Sequence, residues 1–434
     1  MRIRRIVLAV GAVAVLGAAG FVIAAQRPLI PEIDPPAPGT FDRALVETGA
    51  RLAAIGNCHV CHTAPGGADY AGNRALPTPF GTVFSSNITP APGSGIGHWS
   101  QAAFGRAMRE GIGRRGDHLY PAFPYPHFAK LSDADIGALY AFIMTRRPVE
   151  TVQRPNDLGL PFNQRWLMAV WNLVFFDAAP FRPDPQHDAL WNRGAYLVAG
   201  LGHCGDCHSP RNALGAETTA EALAGGEAEG WGAPALNAAS PAPVPWDAEH
   251  LDAYLRRGWD VEHGAAAGPM RPVVDALARA DPADVRAIAT YLAANEGGAS
   301  ADRQRRASEA RARAGKASLP QPAAGEELGA AIFAGACAAC HAGGSPMVPP
   351  HGIDLALSTA VNEADPGNAI RIVQGGIQPD DERAGPWMPP FAGAFTDAQL
   401  ASLLGYIRAH YGSGAAWTGL AAKIHDLRQS KGGA

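Results

Sequence analysis

Apolar residues recur at three- and four-residue spacing in the same order three times along this chain. Each time, one helix is predicted before a short stretch bearing two cysteines and a second helix well beyond it. The leading helices fall in LVETGARLAAIGNC, NRGAYLVAGLGHC and ELGAAIFAGAC, and the closing helices in LSDADIGALYAFI, ADPADVRAIATYL and FTDAQLASLLGYI. Start signals agree with this division: Ser132 with Asp135 and Thr396 with Gln399 stand as capping boxes, and Asp281 caps a helix opened by Pro282. Phe142, Tyr291 and Tyr406 share one register of the closing helices. The fold class this predicts is mainly α, three tandem copies of a unit in which two helices cross, at residues 43–148, 188–297 and 325–412.

The remaining segments have patterns of their own. MRIRR precedes a run of twenty uncharged, mostly apolar residues, 6–25, long enough to span a bilayer, with Arg2, Arg4 and Arg5 holding its first end in the cytoplasm. Residues 1–27 are therefore expected to be an N-terminal transmembrane helix; the alternative is a cleaved signal, for which Val22 and Ala24 offer a passable site. Either way the body of the chain is expected outside the cytoplasm. Residues 28–42, PLIPEIDPPAPG and its continuation, read as a Pro-rich tether. The connector 149–187 holds LPFNQRWLMAVWNLVFF, whose apolar core of about ten residues is too short to cross a membrane. It is expected to be buried between domains, with a dock for a partner or a membrane surface as the other reading. Residues 298–324 read as an exposed, charged linker with a helical turn or two. In the tail, 413–434, Trp417, Leu420, Ile424 and Leu427 at helical spacing are expected to pack on the third unit.

Cysteine chemistry changes the picture most. All six cysteines fall into three C-x-x-C-H motifs: Cys58, Cys61 and His62; Cys204, Cys207 and His208; Cys337, Cys340 and His341. Two thiols one helical turn apart suit thioether attachment to porphyrin vinyls, and the adjacent imidazole reaches the iron as proximal ligand. A zinc ribbon would gather its cysteine pairs in a short span, and a thioredoxin-like pair would sit in a βαβ context; neither pattern is present. Three c-type haems are thus expected, one per unit. A length of 434 residues agrees with about three domains. With no cysteine left over, no disulfide is available. The formal charge of −4, made more negative by haem propionates, argues against nucleic acid as a partner.

A haem that only transfers electrons usually has both axial positions filled, and methionine opposite histidine raises its potential. Met270, in GPMRPVV, and Met388, in GPWMPPF, lie in Gly/Pro loops rather than on helical faces, before the closing helices, and are the expected sixth ligands of the second and third haems. Met347 is a weaker rival in the third unit. In the first unit the place matching Met270 is Phe123, within HLYPAFPYPHF, and phenylalanine cannot bind iron. Four readings stand for that sixth position: His127, favoured; His118; Met108, more naturally core; and no ligand at all.

The order of motifs resembles the membrane-bound three-haem cytochrome c subunits of bacterial periplasmic dehydrogenases, the group serving alcohol, gluconate, aldehyde and N-heteroaromatic hydroxylating complexes. SSNITP with GIGHWS, GRRGDHLYPAFPYPHF, WNRGAYLVAGLGHCGDCHSPRN, GPMRPVV and MPPFAGAFTD carry the resemblance, from about residue 45 to 412. It implies three tandem cytochrome c-type domains on one chain at the bacterial inner membrane, facing the periplasm. Electrons would come from a catalytic dehydrogenase subunit of molybdopterin, PQQ or flavin type and pass to ubiquinone or a terminal oxidase. Phe123 followed by His127 resembles the members paired with molybdenum hydroxylases. Against this electron-transfer reading stands a haem enzyme, a peroxidase or reductase working at an open first haem; carbon monoxide or cyanide binding separates the two.

Overall fold

The computed structural model describes residues 27–298, 300–314, 316, 319–343, 353–378 and 385–429. Residues 6–25 and Met347 lie outside these. No helix among the described residues is long and apolar enough to cross a membrane. The chain divides into two compact units: residues up to Pro183 together with Ala199–His203, and Asp184–Val198 together with everything from Cys204.

In the first unit, α1 (Arg43–Ile55) starts where the Asp42 carboxylate accepts the Leu45 N–H. A short sheet follows, in which β1 (Ala75–Thr78) pairs antiparallel with β2 (Gly81–Phe84). Next come α2 (Gln101–Glu110), the single turn α3 (Tyr125–Phe128) and α4 (Asp133–Met144). The Ser132 side chain accepts the Asp135 N–H at the start of α4, and residues 136–144 are buried all round the helix. β3 (Asp157–Leu158) adds to the edge of β2.

The connector helix α5 (Leu167–Phe175) departs from the expectation of burial. Trp171 and Phe176 pack edge-on against Tyr125, yet no residue of α5 is fully buried, and Leu173 and Val174 are 79% and 64% exposed. Apart from Asn172, which accepts from the Tyr125 hydroxyl, every residue of the helix is apolar, so one face remains uncovered once the other is packed.

The second unit holds two further helix pairs. α6 (Ala189–Ala199) precedes the hairpin β4 (Gly226–Ala228) and β5 (Trp231–Ala233). Then follow α7 (Ala248–Arg257), the small ladder of β6 (Trp259–Asp260) with β7 (Gly264–Ala265), α8 (Met270–Leu277) and α9 (Pro282–Asn295), capped by Asp281. The expected linker instead contains a 13-residue helix, α10 (Ala301–Arg313). Arg303 pairs with Glu296 at 2.7 Å, both nearly buried, and Ala307 and Ala310 pack against Val244 and Leu357. The alanine stripe that docks this helix is hidden in the sequence by the arginines around it. The last pair is α11 (Glu327–Ile332) and α13 (Asp397–Tyr411), with α12 (Gly367–Gly375) between them. Thr396 and Gln399 form a complete capping box. In the tail, α14 (Leu420–Gln429) brings Leu420 and Ile424 into the same core as Trp417, Phe333 and Tyr406.

One device recurs in all three pairs. A Cβ on Gly49 would lie 2.0 Å from the Ala138 carbonyl oxygen, one on Gly194 2.0 Å from that of Ala287, and one on Gly329 2.2 Å from that of Ser402. At each crossing the next neighbour is the Cβ of Phe142, Tyr291 or Tyr406, one helical turn further on. Only glycine lets the leading helix approach the closing helix so closely.

Candidate haem sites

Each leading helix delivers a C-x-x-C-H motif at its end. Cys58–Cys61 forms one helical turn after Asn57, whose φ of 51° reverses the chain out of α1. His203, with φ of 37°, stands at the same place before Cys204. In the third copy the chain enters the motif through a five-residue π-helix, Phe333–Cys337, a rare geometry that concentrates at functional positions.

The motif histidines are held in a form that suits iron. His62 donates from Nδ1 to the Ser86 carbonyl at 2.7 Å, and His208 from Nδ1 to the Pro234 carbonyl at 2.6 Å. That fixes the tautomer and leaves Nε2 with its lone pair, the arrangement seen where imidazole binds a metal. In both units a hairpin supplies the acceptor: Ser86 follows β2, and Pro234 follows β5. A glycine N–H closes the other side, Gly72 to the His62 carbonyl at 2.7 Å and Gly225 to the His208 carbonyl at 2.8 Å. His341 Nδ1 is buried with no partner among the described residues. Burial holds all three imidazoles below their ordinary pKa, which favours the neutral, ligating form. The same burial pushes the Cys58 and Cys204 thiols up to about 12 and that of Cys337 to about 11. Such sites favour an uncharged sulfur, as a thioether is. The donor set, its protonation and its enclosure all fit c-type haem.

Among the expected sixth ligands, Met388 is fixed by paired backbone hydrogen bonds with Ile377, N–H to carbonyl in both directions at 2.9 and 2.8 Å. Met270 opens helix α8 rather than lying in a loop; Pro269, at its N-cap, has helical dihedrals and leads straight into it. In the first unit, Phe123 packs edge-on against Phe128 at 5.4 Å. His127 lies in the turn α3, buried, and donates from Nδ1 to the Ala199 carbonyl at 2.8 Å. His118 is buried and its carbonyl accepts from Arg165. Met108 is buried in α2, as its helical spacing requires.

A family described as Cytochrome c matches residues 46–147 and 326–410, the first and third helix pairs. The gluconate 2-dehydrogenase cytochrome c subunit of Pantoea cypripedii is 36% identical over 404 residues, covering 89% of this chain and 90% of that one. The cytochrome c subunit of the quinone alcohol dehydrogenase of Gluconacetobacter polyoxogenes is 33% identical over 413 residues, covering 90% and 85%. The chain belongs to the family of dehydrogenase cytochrome c subunits. A nicotinate dehydrogenase subunit of Pseudomonas putida is 46% identical over 426 residues, 96% of this chain, but the chain spans only 35% of that protein's length.

As a dehydrogenase cytochrome c subunit, this chain transfers electrons through c-type haem. Sequence reasoning missed the carbonyls of Ser86 and Pro234, because every residue carries one and nothing marks which will be aimed. It also missed the crossing glycines, although a signal was available: Gly49, Gly194 and Gly329 each stand about two to three turns before the first cysteine of their motif.

Proposed function

We propose that this cytochrome subunit carries three c-type haems on Cys58/Cys61, Cys204/Cys207 and Cys337/Cys340, with His62, His208 and His341 as proximal ligands. Met270 and Met388 complete the second and third irons, and His127, through Nε2, the first. The reading rests on the glycine-crossed helix pair, found three times and followed each time by a C-x-x-C-H motif. When bound, haem supplies one-electron chemistry. The chain's own residues fix the proximal imidazoles, exclude water and keep the distal side chains in place.

The electrons come from a catalytic dehydrogenase subunit and leave to ubiquinone or a terminal oxidase. The relative of highest identity given above is named for nicotinate dehydrogenase, and Phe123 with His127 points the same way, so a molybdopterin hydroxylase is the partner this reading favours over PQQ and flavin types. Residues 6–25 hold the chain in the bacterial inner membrane with its haem domains in the periplasm. Purification from detergent-solubilised membranes tests the reading: three haems per chain by pyridine haemochrome, together with a large co-purifying catalytic subunit, are expected. Fewer than three haems, or recovery only as a lone chain, contradicts it.

A further inference from the structure

The hairpin that orients His208 also reaches the third helix pair. Its turn residues, Glu229 and Gly230, have φ of 49° and 78°, the two positive values that match the twist of a two-residue hairpin. At the base, a Cβ on Gly226 would lie 2.4 Å from the Cys207 carbonyl oxygen, so β4 rests directly on the second attachment motif. At the tip, the Trp231 indole lies against Gly268, two residues before Met270; a Cβ there would sit 2.4 Å from indole Cε2.

The indole's other neighbour is α12. The Arg371 guanidinium stands 5.8 Å from the ring centroid. Asn368 brackets the next residue, its Oδ1 accepting the Gly232 N–H at 3.0 Å and its Nδ2 donating to the Gly232 carbonyl at 2.8 Å. The same Nδ2 donates to Glu363, so the amide is held from both sides. α12 then runs through Gly376 into Ile377, which pairs with Met388. Every link is a packing contact, a hydrogen bond or a short piece of chain.

We infer that Trp231 is the bridge by which one electron crosses between the second and third haems, an inference that rests on the proposed ligation by Met270 and Met388. One iron is oxidised by one electron and the other reduced by one; no bond forms or breaks and no proton moves. Electron tunnelling weakens steeply across empty space and less through atoms in contact, and this path runs through close contacts and hydrogen bonds. Glycine at 268 gives the indole its place, and Asn368 fixes the hairpin tip to α12 so that the gap does not vary.

The test is electron injection by flash photoreduction into the full, haem-loaded chain, following re-equilibration between the two methionine-ligated haems. Trp231→Leu is expected to slow that exchange, while both near-infrared methionine-to-iron bands and both equilibrium potentials stay as they are. Trp231→Phe, which keeps a ring, restores part of the rate. Asn368→Ala should remove hydrogen-exchange protection from the Gly232 amide and slow the exchange as well. An unchanged rate in Trp231→Leu overturns the inference, and so does lost Gly232 protection without slower exchange. Failure of the ligand assignment shows separately, as Met270→Ala or Met388→Ala keeping both methionine bands.

Discussion

Phe123 has no lone pair for iron, and its ring already sits edge-on against Phe128. Four residues on, His127 is buried and its Nδ1 is held by a backbone carbonyl at 2.8 Å, the same anchoring found at His62 and His208. On the proposed ligation, Nε2 would be its ligand atom. His127→Ala is therefore expected to turn one low-spin haem high-spin and open it to carbon monoxide. Three haems that all remain low-spin in this variant would remove His127 from the ligand set. Two imidazoles favour ferric iron more than imidazole with thioether, so this haem should have the lowest potential of the three. Phe123→Met, placing a thioether where Met270 stands in the second unit, should raise it in a potentiometric titration.

At the level of elements, the glycine crossing makes a sharp prediction because two helical glycines of the third pair differ in what surrounds them. Gly329→Ala would drive a methyl into the Ser402 carbonyl, 2.2 Å away, and overpacking of that kind costs up to about 3 kcal/mol. Gly405→Ala, in α13 with nothing within 4 Å of its Cβ position, should be neutral or stabilise α13 by up to about 1 kcal/mol. Thermal unfolding of the haem-loaded protein, with haem counted per chain, distinguishes them. Equal effects would mean that the crossing is not tight.

The contrast also shows what was readable in the sequence. The helix pairs were legible because their apolar spacing and caps, Asp281 and Thr396 among them, act locally. The hairpin β4–β5 was not, since three-residue strands built from Gly, Glu, Ala and Trp carry no alternation, and its register comes from two positive-φ turn residues. α10 was missed because five arginines in ADRQRRASEARAR mask the alanines that dock it. Met270 read as a loop residue because Gly268 and Pro269 precede it, whereas proline is well tolerated at a helix start.

On the scale of the whole molecule, the first described residues already belong to the folded body. The Pro28 carbonyl accepts from Arg106, the Ile30 N–H donates to the Arg114 carbonyl, and the Ile33 N–H donates to that of His98. The Pro-rich tether thus starts out pinned to the first unit, and none of these contacts needs anything before residue 27. Replacing residues 1–25 by a cleavable secretion signal is therefore expected to leave the fold and all three haem attachments intact and to release the protein into the periplasm. Fractionation of cells lacking the catalytic partner is the decisive measurement, because a partner bound to the membrane would retain the chain by itself. Haem-loaded protein in the soluble fraction assigns anchoring to residues 6–25. Sedimentation with membranes in that background contradicts this and transfers the role to the described body, where α5 leaves Leu173 and Val174 uncovered.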